Sequence, residues 1–293
     1  YHTMPPFATG AVTRPKDSRD FGLATYQPPI TLPEVFMQDM TAIPVMNQSI
    51  YPTCGGHAGA ALDSFLQQKP LSPKYLWKQI KLIDGYPNED GTDMRSIMKT
   101  LVAQGDCRLA LCPNDLGISL VDYTDPTQLT AEMKHDAYNY DLTNYAFNDI
   151  PTWDEIRQAI YQNKAVIALV KCGTGWYQDV NGNGSWAEKD VLPLNLGKYT
   201  SGHFITLYGY DQNYIYFRNS WSTAWGQGGN GYFDRSYLSN VREIGTALML
   251  PAQFIFTHNL WYGQTSNDVI QLQKRLSVIQ TGFFGSLTFA AVR

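Results

Sequence analysis

The sequence predicts a two-lobed α+β fold, with a helical first lobe, an antiparallel barrel-like second lobe and a short helical tail. Three observations predict it. Apolar residues recur at helical spacing between Cys54 and Val102. From Ala165 to Leu250 the pattern changes to short aromatic and aliphatic runs separated by Gly, Asn and Asp turns, and helical spacing returns at Val269. With 293 residues, 44% hydrophobic and 16% charged, the chain can bury a large core, enough for a catalytic domain of roughly 200 to 250 residues and a small module.

The elements follow in order. Residues 1–33 hold Pro5, Pro6, Pro15, Pro28, Pro29 and Pro33 and show little periodicity, which predicts an extended arm lying over the surface. From Cys54, the positions Ala58, Leu62, Phe65 and Leu66 define a buried helix that Pro70 stops. Ser72 and Pro73 read as the cap and first-turn proline of a second helix, with Leu76, Trp77, Ile80 and Ile83 inward. A third runs from Thr92, with Met94, Ile97, Met98, Leu101 and Val102 facing inward and Gly105 ending it. Thr152 and Glu155 form a capping box for another helix, and Ala165–Val170 is a continuous apolar strand. Further strands are expected at His203–Tyr210, Tyr214–Arg218, Gly231–Phe233 and Thr246–Leu250. A helical lobe followed by a sheet lobe leaves a cleft between them.

Composition excludes several functions. A net charge of -4 supplies no basic field to gather phosphates, so nucleic acid is not an expected partner. No run approaches the roughly 20 apolar residues that a membrane helix needs. A monomer acting on a protein or peptide substrate is expected. Four cysteines are too few for a disulfide scaffold in a chain this long; Cys107 and Cys112 are close enough in sequence for a bridge, and two reduced thiols fit equally.

The chemistry concentrates in three residues. Cys54 follows a Pro-Thr step and opens a helix, where unpaired backbone N–H groups favour thiolate over thiol. A cysteine nucleophile needs a base, and the base needs an acceptor to hold its ring; His203 and Asn219, sixteen positions apart (219 minus 203), supply these across a predicted hairpin. Trp221 can shield that bond from water. Gln48, six positions before the cysteine (54 minus 48), is either an oxyanion donor beside the Cys54 N–H or an ordinary loop glutamine.

The segments PVMNQSIYPTC, SGHFITLYGY and YIYFRNSWSTAWGQGGNGY together resemble the three signature segments of the papain-like cysteine proteases. The resemblance covers about residues 34–250, within an expected protease domain of residues 34–254. It implies the papain-like fold and endopeptidase activity, with Gln48 as oxyanion donor, Cys54 as nucleophile, His203 as base and Asn219 as orienter. His203 and Asn219 follow the cysteine by 149 (203 minus 54) and 165 (219 minus 54) positions, against about 130 to 150 in the family, which implies an insertion before His203. Gly55 stands where the family has a tryptophan, Tyr51 where it has a disulfide cysteine, and Gly202 where a small or acidic residue precedes the histidine. By the same resemblance Gly91 is a substrate-pairing glycine, with a helix-entry glycine as the alternative. Gly202 and Trp221 complete the expected substrate-binding set.

The insertion contains DVNGNGSWAEKD, in which Asp179, Asn181, Asn183, Ser185 and Asp190 follow the ligand order of a calcium loop and resemble those of dockerin modules. Asn and Gly are also what any hairpin turn collects. No cofactor is expected for catalysis, and structural calcium is the one metal the sequence suggests. Residues 255–293 include TSNDVIQLQKRLSVIQTGFFGSLTFAAVR, which resembles the opening of a peptidoglycan-binding module; a helical hairpin is the alternative. There Val269, Leu272 and Leu276 share a helix face and Thr288 is expected to cap a second helix. That resemblance implies a bacterial or phage protein, secreted or associated with a cell wall. Two rival readings stand beside the protease: a cell-wall amidase of the CHAP or NlpC type, whose motifs lack the NSW…WG segment, and an inactive wall-binding scaffold.

Overall fold

The helical lobe is built from helices whose starts are written locally in the sequence. The computed structural model describes residues 7–15, 17, 20, 22–23, 29–85, 90–177, 192–248, 260–265, 269, 272–273 and 281–292. Helix α1 (Cys54–Gln67) buries Leu62 and Phe65 and ends three residues before Pro70. Its N-cap, Thr53, makes no side-chain cap, so the first N–H groups stay available. Helix α2 (Pro73–Lys81) begins as predicted, the Ser72 hydroxyl accepting from the Tyr75 N–H at 3.1 Å. Ile83 lies past its end and is exposed, because the helix stops earlier than its apolar pattern suggests. Thr92 does not open the third helix: Thr92–Asp93 form strand β3, and helix α3 (Met94–Ala103) starts after Asp93, whose carboxylate accepts from the Ser96 N–H at 3.1 Å. Short helices α4 (Leu120–Thr124) and α5 (Ala131–Ala137) complete the lobe.

The second lobe is a seven-stranded antiparallel sheet. In chain order its strands are β2 (Phe36–Met37), β4 (Tyr145–Asp149), β5 (Val166–Gly173), β6 (Tyr199–Tyr210), β7 (Ile215–Arg218), β8 (Asn230–Phe233) and β9 (Val241–Ala247). They lie side by side as β4-β9-β5-β6-β7-β8, with β2 added against the end of β6. The sheet is open rather than the barrel expected. Its outer edges are already used: Gly22 bridges Phe147 beside β4, and the Leu194 N–H donates to Tyr232 O beside β8 at 3.0 Å, so neither edge is free to close on the other. Strand β6 begins at Tyr199, which places His203 inside the strand instead of at its start, and the last strand runs earlier than the predicted 246–250.

Both faces of the sheet are covered, which explains the unbroken apolar run in β5. Ala165, Ile167 and Leu169 pack with Phe65, Ile97, Met98 and Leu101 of the helical lobe. Val166, Ala168 and Val170 face the other way, onto helix α6 (Trp153–Asn163) and a cluster holding Trp176, Trp221 and Trp225. The predicted capping box is present: Thr152 accepts from the Glu155 N–H, and the Glu155 carboxylate accepts from the Thr152 N–H at 2.7 Å. Thr206 donates to Ala58 O at 3.0 Å and ties β6 to α1, bringing the walls of the cleft together.

The chain divides into two compact units, Tyr1–Leu248 and Met249–Arg293. In the second, Val269 is fully buried and the Gln273 side-chain amide reaches Phe283 O and the Thr288 hydroxyl, both at 2.9 Å. Thr288 is buried within helix α7 (Ser286–Val292) and not its cap; the helix starts two residues earlier and uses this hydroxyl to hold Gln273. Leu276 lies outside the described residues.

Candidate active site

Cys54 opens α1 and is wholly buried. Backbone N–H groups of Cys54 itself, Gly55, Phe204 and Gly10 all point at its sulfur. Burial nevertheless pushes the thiol up to about 12, with the N–H groups pulling the other way. Desolvation therefore opposes the thiolate expected at a helix terminus and outweighs the aligned amides. Gly55 is required by packing, since a Cβ there would lie 2.4 Å from Thr92 Cγ2 and 3.2 Å from Ile97 Cδ1, leaving no room for the tryptophan other proteases carry.

His203 stands on β6 opposite Val170, and Asn219 follows the last residue of β7. Their side chains meet, Nε2 to Oδ1, at 2.9 Å. Asn219 Oδ1 also accepts from the Ser220 N–H at 2.8 Å, which fixes it as an acceptor and puts the imidazole proton on Nε2. Nδ1 then carries the lone pair, and it is buried with no hydrogen-bond partner. Trp221 lies over the ring at 4.8 Å between centroids, and Trp176 meets it edge-on at 5.6 Å. Burial pulls the imidazole down to about 4, against the Asn219 bond. Burial thus favours the neutral form of both the thiol and the imidazole.

Gln48 is also buried, and its amide is oriented by neighbours. Oε1 accepts from the Ser220 hydroxyl at 2.5 Å, so Nε2 faces the cleft, donating to Tyr51 O at 2.9 Å and Ala8 O at 3.0 Å. Sequence reasoning missed Ser220, although it sits inside the NSW motif, and Trp176, for which no sequence signal exists. It also missed His57, one turn along α1, whose Nδ1 lies 3.0 Å from Thr53 O and whose pKa burial lowers to about 4. Tyr51 replaces the disulfide cysteine by packing: its hydroxyl donates to Ile118 O and its ring lies 5.2 Å from that of Tyr123. All four cysteines are free thiols, Cys107 and Cys112 included.

Residues 7–14 of the N-terminal arm do not simply lie over the surface, as expected; they run along the cleft, while residues 29–31 are exposed. Phe7 stacks flat on Trp221, at 5.2 Å and 6°. Ala8 O accepts from both Gln48 Nε2 and Trp221 Nε1, and the Thr92 N–H donates to Gly10 O at 3.0 Å. Strand β1 (Ala11–Val12) then pairs in parallel with β3. Gly91, at φ +86°, must be glycine because a Cβ would sit 2.3 Å from Gly10 O, and a Cβ on Gly202 would meet Ala11 O at 2.7 Å. Beyond it, Arg14 is buried among Asp20, Asp149 and Glu243, the last at 2.7 Å. Gly91, Gly202 and Trp221 therefore all line the groove the arm occupies. Asp179, Asn181, Asn183, Ser185 and Asp190 lie outside the described residues, and among the described residues no cluster of His, Cys, Asp or Glu could hold a metal ion.

Residues 40–243 match the Peptidase_C39 like family. A peptidase of Euroglyphus maynei, "Peptidase 1", is 30% identical over 101 residues, 33% of this chain and 30% of that protein. The chain thus matches under a third of that curated relative's length. Among solved structures, xylellain, a cysteine protease from Xylella fastidiosa, aligns with a TM-score of 0.69 and 19% identity over 86% of this chain and 99% of that one. The proCathepsin B S9 of Trypanosoma congolense aligns with a TM-score of 0.65 and 17% identity, covering 82% of this chain and 86% of that one. The fold is that of the papain-like cysteine proteases.

Proposed function

We propose, from the premise that the chain belongs to the Peptidase_C39 like family and is a cysteine-type peptidase, that Cys54, His203, Asn219 and Gln48 are its catalytic set and that it hydrolyses peptide bonds by acyl transfer. The observation carrying this reading is the His203–Asn219 bond that fixes the proton on Nε2 and leaves Nδ1 open. With the arm withdrawn, Nδ1 takes the thiol proton and the thiolate attacks the peptide carbonyl carbon. Negative charge moves to the carbonyl oxygen, which accepts from Gln48 Nε2 and the Cys54 N–H. The tetrahedral species collapses as Nδ1 returns its proton to the leaving amine. Water, deprotonated by Nδ1, then attacks the thioester and releases the acid and the thiol.

In the closed chain Ala8 O already occupies the Gln48 donor, so the arm takes the place of the developing oxyanion. The arm is then a retained pro-segment and the described state a latent one. Digestion of casein by the folded chain before and after cleavage of the arm at the exposed residues 29–31 tests this, with the Cys54→Ala chain as control. Casein cleavage that survives Cys54→Ala removes the catalytic assignment.

A second reading concerns Met249–Arg293. The buried Val269 and the Gln273–Thr288 bond support a small folded module of the wall-binding pattern. Retention of the full chain on purified peptidoglycan supports it; no retention removes it, and with it a site of action at a cell wall. The calcium reading of 179–190 fails if calcium and chelator leave the melting temperature unmoved.

A further inference from the structure

Behind the catalytic wall, a cavity of about 20 Å³ lies between helix α1 and the chain leaving β7, with Phe204 and Thr206 of β6 beside it. That volume suits one water molecule, which needs roughly 10 to 15 Å³. Most polar side chains that line it already have partners. Thr206 donates to Ala58 O at 3.0 Å, Ser64 Oγ accepts from the Leu71 N–H at 3.0 Å, and the Ser220 hydroxyl donates to Gln48. Arg218 donates to Asn230 Oδ1 at 2.8 Å and to Ile43 O at 2.9 Å. His57 and Asn219 differ. Each is only 2% exposed, and each keeps one buried atom without a hydrogen-bond partner, Nε2 of His57 and Nδ2 of Asn219.

The two atoms are chemically complementary. Nδ1 of His57 lies 3.0 Å from Thr53 O, a carbonyl that can only accept, so the ring proton sits on Nδ1 and Nε2 carries the lone pair. Burial lowers the pKa of this ring to about 4, against the Thr53 and Asn47 carbonyls, which favours the neutral form. Asn219 uses Oδ1 for His203 and for the Ser220 N–H, so Nδ2 presents donors alone. One water can accept from the amide and donate to the ring, and leaving either buried atom without a partner is costly. We propose that His57 is a positioning residue of the peptidase reaction: a single water in this cavity accepts from Asn219 Nδ2, donates to His57 Nε2, and so fixes the amide that orients His203. His203 and the Ser220 N–H hold the oxygen end of that amide, and the water holds its nitrogen end. Turning the amide then breaks bonds on both sides. This inference rests on the peptidase reading and adds to it a residue one turn along the helix that the nucleophile opens.

Two measurements test it. In a crystal structure of the full chain, an ordered water should lie within about 3 Å of both His57 Nε2 and Asn219 Nδ2. A cavity without that water overturns the link, whatever becomes of the peptidase reading. The second measurement is kinetic and uses the full chain, folded with its arm and then cut at an engineered site within residues 29–31. There His57→Phe should lower kcat about fivefold with KM unchanged, the scale of one neutral hydrogen bond. His57→Gln, whose side-chain oxygen can take the place of Nε2, should stay within about twofold of wild type. In an Asn219→Ala chain, adding His57→Phe should cost nothing more, because the residue it acts through is gone. Equal losses in both backgrounds, a kcat that His57→Phe leaves unchanged, or a His57→Gln chain as slow as His57→Phe overturns the positioning role and leaves the peptidase reading standing. Should His57→Phe fail to fold, the crystallographic water and the His57→Gln rate decide the matter. Absence of any cleavage by the cut wild-type chain removes the peptidase reading and the positioning role together.

Discussion

The walls that carry Cys54 and His203 are fully buried, the arm between them is half-buried, and the two are held in different ways. His203 and Cys54 sit on elements fixed by backbone ladders and by apolar packing on both sheet faces, and the site's polar atoms are oriented by neighbours in the same walls. The arm has a two-residue pairing, one aromatic stack, a few hydrogen bonds and an ion cluster at Arg14. Such contacts belong to the less stable end of a structure and can open without unfolding the rest. On the proposed reading, the comparison teaches that the machinery is pre-assembled and the blockade is separable.

The sharpest way to break that contrast is to remove the nucleophile. Cys54→Ala should cost at least about ten-thousandfold in kcat while leaving the melting curve close to wild type. Removing the blockade is next: cutting the arm should raise activity by about a hundredfold or more, read as initial rate on a fluorogenic peptide. An unchanged rate would make the arm a passenger. Asn219→Ala in the cut chain should lower kcat by about tenfold to a hundredfold with little change in KM, because the imidazole keeps its lone pair and loses only its orientation. A loss equal to that of Cys54→Ala would reassign Asn219.

The smallest effect concerns charge at the arm's anchor. Burial raises the Glu243 pKa from 4.5 to about 7 even with Arg14 beside it. A raised pKa means the closed fold binds the proton more tightly than the unfolded chain. The stability this supplies is full below about 4.5 and is lost as pH rises through 7. Melting temperatures of wild type and Glu243→Gln should therefore diverge between those pH values, the wild type losing ground by up to about 3 kcal/mol, and run parallel above. A gap that opens in the acid direction would reverse the sign and place the dominant interaction with Arg14.

Locally encoded features were legible in the sequence. Ser72 and the Thr152–Glu155 box mark helix starts because a side chain and an N–H three residues on settle the matter between them. The His203–Asn219 pair was legible because a hairpin joins two neighbouring strands. What escaped depends on residues far apart in the chain. Thr92 looks like a helix entry until the arm's Gly10 and Ala11 pair with it, and Arg14 looks like one charge among prolines until Glu243 closes on it. The barrel expectation failed for the same reason: edge coverage by Gly22 and Leu194 is set by segments outside the strands. The burial that opposes a thiolate at Cys54 was not legible, because the helix terminus is visible in sequence and the cover over it is not.

Alkylation of Cys54 by iodoacetamide across pH, before and after the arm is cut, tests the central claim most directly. The closed chain should react slowly at every pH where it stays folded. The cut chain should react fast near neutral pH and lose that advantage when His203 is changed to alanine, since the thiolate would then lack its proton acceptor. Equal rates before and after cutting, or a cut chain whose reactivity rises only in strong alkali, would contradict it.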